Sequence, residues 1–536
     1  MPRPSHVRVV RRLTSNGYNA DREAVTVLAN AADPLAAVDA AIDGVDDEAL
    51  TITKSDAETA VSRARAATST SHGSTDSSGG TVDRPEAGRS TSASGNGGQN
   101  TTGSDGTKIV EQSMQAGRSP TETKGVTAER TGTADRAPID IAKDITGEST
   151  GTGTYEDFVT VFRDRYDRLA RQLRSRVNHR PTDALEKMAG GSEAGIVGMV
   201  NDIRSTASGH WLVELEDTNG TFPVLVMKDR AIADDVQALL HDEVIGVEGT
   251  LSDDGGILFV DSIHFPDVPR TYRPSTADRP VEAALISDVH VGSQEFMAEE
   301  WSAFADWLHT PDAERVEYLL IAGDMVEGVG VYPDQDEELD IVDIFDQYER
   351  FAEYLKEVPG DMDIVMIPGN HDAVRLAEPQ PGFDEELRDI MGVHDARITG
   401  NPSVVTIEGV SVLMYHGVSI DELVAELPDE LATYEDPQNA MAQLLRKRHL
   451  APPFGGHMRI SPEASDYLVI DDVPDIFHTG HVHKLGVGQY HNVRLVNSGC
   501  WQAQTEFQKS VNIVPDTATA PIVDLQTLEV TVRKFT

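Results

Sequence analysis

At 536 residues the chain is too long for a single compact core. It carries 90 acidic against 45 basic residues, a net charge of −45, spread along the chain rather than held in a tail. Apolar residues make up 39%, which argues against wholesale disorder; a strongly hydrated acidic surface fits a folded cytosolic protein of a salt-loving organism. Such a surface normally repels nucleic acid, but at molar salt the Debye length is only ~3 Å, so local basic residues would matter more than net charge. The single cysteine, Cys500, excludes an internal disulfide or a cysteine-based zinc site. No apolar run has the ~18 residues of a membrane span, and the basic start MPRPSHVRVVRRL lacks the apolar stretch of a signal peptide. The expected setting is cytoplasmic.

Residues 1–62 read as a small helical module. Asp21 can cap a helix over Glu23–Asn30, and Pro34 starts a second, LAAVDAAIDGV. From 63 to 150 the composition turns to Gly, Ser, Thr and Asn, which predicts a disordered linker. Residues 151–190 form a basic helical segment, FVTVFRDRYDRLARQLRSRV, with Phe158, Val161, Phe162, Tyr166, Leu169 and Leu173 at helical spacing and arginines at 163, 165, 168, 171, 174 and 176. Its positive face suits a nucleic acid or acidic partner, or simply solvent. Over 191–268, GIVGMVNDIR, HWLVELED, TFPVLVM, VIGVEGTLS and ILFVDSIHF are five strand candidates, with VMKDRAIADDVQALL a helix between the third and fourth. That order is the order of an OB fold, a β-barrel that often holds single strands through aromatic stacking. Trp211, Phe222 and Phe259 are available for it, or for the core. Residues 269–280 read as a linker.

From 281 to 536, apolar runs each end in a polar cluster. VEAALISDVHVG carries Asp288 and His290; VEYLLIAGDMVEG carries Asp324; MDIVMIPGNHDAVR carries Asn370, His371 and Asp372; VSVLMYHGVS carries His416; IFHTGHVHKLG carries His481 and His483. Such runs suit strands buried on both faces, and α/β sheets build their sites at the carboxyl ends of strands. Helical stretches such as AEEWSAFADWLH and DIFDQYERFAEYLKEV lie between them, so the domain is expected to be a layered α/β structure. Asp, His and Asn without cysteine suit two divalent cations, Mn, Fe or Zn; the histidines argue against Mg or Ca alone. Such a pair orients a nucleophile and stabilises charge on a phosphoryl group. Gly323 and Gly369 leave room for backbone close to the ions.

The order D-x-H, G-D, G-N-H-D, H, G-H-x-H resembles the calcineurin-like metallophosphoesterase family. The resemblance implies one ion on Asp288, His290, Asp324 and His483, and a second on Asp324, Asn370, His416 and His481. It makes His371 the acid that protonates the leaving oxygen, with Asp372 orienting it. Together with RKRHLAPPFGGHMRISPE and VNSGCWQAQTEFQ, the barrel-then-phosphoesterase order resembles the small-subunit family of archaeal family-D DNA polymerases. That implies a 3′–5′ exonuclease on single-stranded DNA 3′ ends, two divalent ions (Mn foremost, with Fe, Zn or Mg as alternatives) and a large catalytic subunit as partner. The competing readings are a non-catalytic scaffold subunit and a free-standing small-nucleotide phosphodiesterase. Arg459, with His457, is a substrate-binding candidate; Lys484 is a candidate phosphate partner; Trp501 and Phe507 are candidates for the large-subunit interface. His478 is expected to be structural, whereas His481 and His483 should share a face of an extended segment and reach different ions.

Overall fold

The computed structural model describes residues 136–149 and 151–536 apart from 333, 334, 456 and 457, together with 108–111 and parts of 12–61. The chain divides into two compact units, 1–101 and 102–536.

In the first unit, strand β1 (Asn19–Ala20) is followed by helices α1 (Arg22–Ala29) and α2 (Pro34–Ile42) and by strand β2 (Thr51–Ile52), which pairs parallel with β1. Pro34 begins α2, where its missing N–H costs nothing. Ala24, Leu28, Ala37, Val38, Ala41 and Ile52 form a small core. The proposed cap, Asp21, lies outside the described residues.

The second unit contains a barrel and two large sheets. Two pieces of the expected linker are ordered in it: strands β3 (Lys108–Glu111) and β4 (Asp140–Ile141) each add an edge strand to a sheet. KIVE is short and rich in β-branched residues, and an exposed sheet edge offers unpaired backbone groups. Arg136 and Lys143 further anchor this stretch, through Glu317 (2.8 Å) and Asp471 (3.1 Å). Helix α3 (Tyr155–Leu173) starts where Asp157 accepts from the Thr154 main-chain N–H (2.6 Å). Its apolar stripe, Tyr166, Leu169 and Leu173, packs on Val197, Val244 and Val469. The positive face is only partly free. Arg165 is fully buried and pairs with Asp466 at 2.7 Å, while Arg168 binds Asp164 (3.0 Å) and Asp471.

Strands β5 (Glu193–Ser205), β6 (Trp211–Asp217), β7 (Gly220–Val226), β8 (Val244–Leu251) and β9 (Leu258–His264) close a barrel in the order β5-β6-β7-β9-β8. The expected helix between β7 and β8 shrinks to one turn, Ala233–Val236. The bonds that follow run three residues back, Ala238 to Asp235 and Leu239 to Val236, tightening the segment into turns. Phe222 fills the core, whereas Phe259 is 40% exposed. The 269–280 connector is not loose: Tyr272 hydrogen-bonds Asp475 (2.6 Å) and Arg279 pairs with Glu317 (2.6 Å) and Glu408 (2.6 Å).

The remainder is built from β10 (Glu282–Ile286), β11 (Val316–Ala322), β12 (Asp363–Ile367), β13 (Arg397–Ile398), β14 (Ser403–Ile407), β15 (Val410–Met414), β16 (Ile476–Thr479), β17 (Leu485–Tyr490), β18 (Val493–Ser498), β19 (Thr519–Asp524) and β20 (Val530–Lys534). One sheet runs β13-β12-β11-β10-β19-β20-β3, the other β17-β18-β16-β15-β14-β4. Alternate residues of the two sheets, such as Leu285, Leu320, Val365, Val412, Ile476 and Val496, share one core between them. The opposite face of the first sheet packs on helices α4 (Ala298–Leu308) and α5 (Ile344–Leu355). The opposite face of the second packs on α6 (Ser419–Glu426) and α7 (Pro437–Lys447). The result is helix, sheet, sheet, helix. β10, β11 and β12 run parallel, as do β15 and β16, so their carboxyl ends meet on one side of each sheet.

Candidate metal centre

All five polar clusters follow carboxyl ends: Asp288 and His290 after β10, Asp324 after β11, Asn370 and His371 after β12, His416 after β15, His481 and His483 after β16. Five of these residues take left-handed backbone conformations, with φ of 53° at Asp288, 55° at His290, 50° at Asp324, 71° at His481 and 55° at His483. For a residue with a Cβ this costs roughly 1–2 kcal/mol. Cross-strand bonds hold it: the Asp288 and His290 N–H groups donate to the Gly323 (3.0 Å) and Asp324 (3.1 Å) carbonyls. The Asp288 carboxylate accepts from His481 N–H (2.9 Å). His481 and His483 therefore do not lie on an extended segment. A turn aims them apart, so that each joins a different cluster.

Asp288, His290 and His483 form one donor cluster, and Asp324, His416 and His481 a second; every donor atom in each lies within 4.8 Å of its partners. Asp324 stands between them, with Oδ2 3.1 Å from His416 Nε2 and 3.8 Å from His290 Nε2. Asn370 Oδ1 is 3.0 Å from His416 Nε2. The glycines set this spacing. A Cβ at 369 would overlap Asp324 Oδ1 and lie 2.6 Å from its main-chain nitrogen; one at 323 would lie 2.5 Å from His416 Nδ1.

The donor chemistry calls for positive charge. His416 Nδ1 donates to the Ala322 carbonyl (2.8 Å), so its Nε2 faces two oxygens with a lone pair unless it takes a second proton. His290 Nδ1 donates to Glu327 (2.8 Å), leaving its Nε2 3.0 Å from His483 Nε2. Burial opposes charge on His416, but Asp324 and Asp288 outweigh it and push its pKa up to about 10. Burial likewise opposes charge on His290, and Glu327, Asp324 and Asp288 raise it to about 9. Burial pushes the Asp324 carboxyl up, but His416, His371 and His290 bring it well below the usual range. A buried site with this surplus of negative charge and opposed lone pairs fits divalent cations.

The histidine of G-N-H-D sits at the rim. His371 Nδ1 donates to the Glu327 carbonyl (2.7 Å), so that nitrogen holds a proton and Nε2 remains for other partners. Asp372 does not orient it. Its carboxylate accepts instead from Tyr348 Oη (2.9 Å) and Gly369 N–H (2.8 Å), bracing the loop. The orienting group is Glu327, which the sequence reading missed although it lies three residues after Asp324. Gln508 and Asp421 were missed as well; they contact His483 Nδ1 (2.8 Å) and His481 Nε2 (3.1 Å).

Other candidates fall away or stay open. His478 is fully buried, belongs to neither cluster, and among the described residues its ring hydrogen-bonds Ser498 Oγ (3.2 Å); burial holds its pKa down to about 3. Lys484 is nearly buried and paired with Glu435 (2.9 Å), and Trp501 is fully buried in the α4 core, so neither offers a free surface. The Arg459 side chain is exposed, and its carbonyl accepts from Glu378 N–H (2.8 Å). His457 lies outside the described residues. No helix among the described residues is long and apolar enough to cross a membrane.

Residues 283–485, which hold every donor named above, match the B-subunit family of DNA polymerases alpha and epsilon. Over 536 residues, the full length of both chains, the protein is 66% identical to the DNA polymerase II small subunit of Halobacterium salinarum (strain R1). It is 45% identical over 386 residues, 70% of this chain and 77% of the other, to the DNA polymerase II small subunit of Archaeoglobus fulgidus. Identity of this order across whole chains means that the protein belongs to the DNA polymerase II small-subunit family.

Proposed function

We propose that this chain is the nuclease subunit of a two-subunit DNA polymerase, removing nucleotides from single-stranded DNA 3′ ends with two divalent ions, Mn foremost. The observation that carries this is the pair of donor clusters bridged by Asp324. The layered sheets with donors at the carboxyl ends support a calcineurin-like metallophosphoesterase fold. The strand order of the barrel supports an OB-like module, and the relatives' names support a large catalytic partner.

Asp288, His290, Asp324 and His483 would hold one ion, and Asp324, Asn370, His416 and His481 the other. When bound, the ions lower the pKa of an attacking water and neutralise charge on the phosphoryl group. The chain's own contribution is orientation and proton movement. Glu327 fixes the His290 ring through its carboxylate and the His371 ring through its carbonyl. His371, with Nδ1 thus engaged, presents Nε2 to the departing 3′-oxygen; as the imidazolium, with both nitrogens protonated, it would hand over the Nε2 proton and return to the neutral ring with its Nδ1–H still on the Glu327 carbonyl.

The test is Mn-dependent nucleotide release from a 3′-ended oligonucleotide, with metal content measured on the same protein. His371→Ala should keep metal and lose roughly 10²–10⁴-fold in turnover; Asp324→Ala should lose both. Wild-type turnover in either variant, or a purified chain that takes up no Mn, sinks the reading.

A further inference from the structure

Beside His371 lies an aromatic row that the chemistry above does not use. Tyr332 packs edge-on to the His371 ring, with centroids 6.4 Å apart, and lies nearly parallel to Phe507, at 6.4 Å and 26°. Phe507 is 59% exposed. Its position is built, not incidental. It sits on the short helix α8 (Glu506–Val511), where Thr505 caps through Gln508 N–H (3.2 Å) and the neighbouring Gln508 contacts His483 (2.8 Å). Tyr332 is held by its hydroxyl, which donates to Glu327 (3.1 Å) or Glu338 (3.2 Å). Glu327 thus ties the aromatic row to the same carboxylate that orients His290.

An exposed phenylalanine on a donor-contacting helix, stacked on a tyrosine that itself packs against His371, has the right shape and chemistry for a flat apolar ligand. We propose that Phe507, backed by Tyr332, is a stacking platform for a nucleobase at the 3′ end of the strand. The inference rests on the nuclease reading and deepens it by naming what holds the strand end. In a chain of net charge −45, general attraction to phosphates is weak. Stacking is the sequence-tolerant alternative, since every base has a π-face. Tyr332 and Phe507 are then strand-binding residues: they hold the last base with equal strength before and during the reaction, and so set the affinity for the strand end.

The experiment compares two fluorescein-labelled oligonucleotides, one ordinary and one with abasic sites at its last two 3′ positions, each with a phosphorothioate last linkage. Binding to the full chain in Mg²⁺ is followed by anisotropy. The wild type should prefer the ordinary strand about tenfold. Phe507→Ala, an exposed position that leaves the core intact, should erase that preference without weakening the abasic strand. Phe507→Trp should restore it. In Mn-dependent release from an ordinary linkage, Phe507→Ala should raise KM and leave kcat near wild type. An unchanged preference in Phe507→Ala, an equal loss on both strands, or a wild type without preference overturns the proposal. So does loss of co-purification with the large subunit as the sole effect of the variant, which would make Phe507 a partner contact. Base preference that persists alongside absent nucleotide release would instead sink the nuclease reading and spare the stacking site.

Discussion

Asp466→Ala probes how α3 is attached. The carboxylate accepts from Arg165 Nε (2.7 Å), from His449 Nε2 (2.9 Å) and from Leu468 N–H (3.0 Å), and it is 1% exposed. Its removal leaves the Arg165 guanidinium at 0% exposure, with the carbonyls of Pro452 (2.6 Å) and Asp242 (3.2 Å) as hydrogen-bond acceptors, the Phe162 ring 4.8 Å from Cζ, and Nη2 already without a hydrogen bond. Breaking a buried pair from one side costs about 3–5 kcal/mol, because the remaining charge stays desolvated. For a unit spanning residues 102–536 the scale is ~1 °C per kcal/mol, so the melting temperature should drop by roughly 3–5 °C. Replacing both partners with apolar residues of similar volume, Arg165→Met with Asp466→Leu, should recover most of the loss. The assay is thermal and urea unfolding of the full chain, repeated at low and molar KCl, where a buried pair should respond little to screening. A loss below ~1 kcal/mol in the single variant, or a double variant as unstable as the single, would refute the reasoning.

Other consequences are equally direct. Gly369→Ala forces a Cβ to within 2.6 Å of Asp324 N and into overlap with its carboxylate; on the proposed nuclease reading, where Asp324 would serve both ions, a displacement of ~1 Å there should lower turnover about 10²-fold, and unchanged Mn binding and release would contradict it. Glu327→Gln keeps the shape but removes the charge that accepts from His290 Nδ1, so metal affinity measured by titration calorimetry should fall ~10–100-fold. His449 is held neutral. Burial lowers its pKa most and Arg165 adds to this, while Asp466 opposes, leaving it at about 4 against 6.5 ordinarily. The unfolded chain therefore takes up the proton first as pH falls. The stability is full above pH ~6.5 and lost towards ~4, amounting to ~3 kcal/mol. His449→Gln should flatten that limb of the stability–pH curve; an unchanged slope would show that another group titrates there.

The donors were legible because they are a local signal. Each follows a short apolar run that suits a strand buried on both faces, and strand ends of a parallel sheet meet on one side whatever the details of packing. The five barrel strands were legible for a similar reason, since their alternation and turns lie within a few residues of each other. Where the reading failed, the deciding partner was distant. KIVE at 108–111 looks like part of a polar linker until β20 offers it an edge. Arg165 looks like one more solvent-facing arginine until Asp466, 301 residues on, buries it. Asp372 looks like the partner of His371 by adjacency, yet Tyr348 and Gly369 claim its oxygens.

The sequence by itself thus determined which residues have the chemistry to hold cations, and in what order the strands carry them. Composition and period-two patterning act within a strand and do not depend on what it later packs against. Tertiary structure alone decided how those residues point. The left-handed turns at Asp288, His290, Asp324, His481 and His483 exist because neighbouring strand ends supply the hydrogen bonds that hold them. They send His481 and His483 to different clusters and place Asp324 between the two. Glu327 and Phe507 gain their significance in the same way, from contacts that close only when strand ends far apart in the chain are brought together.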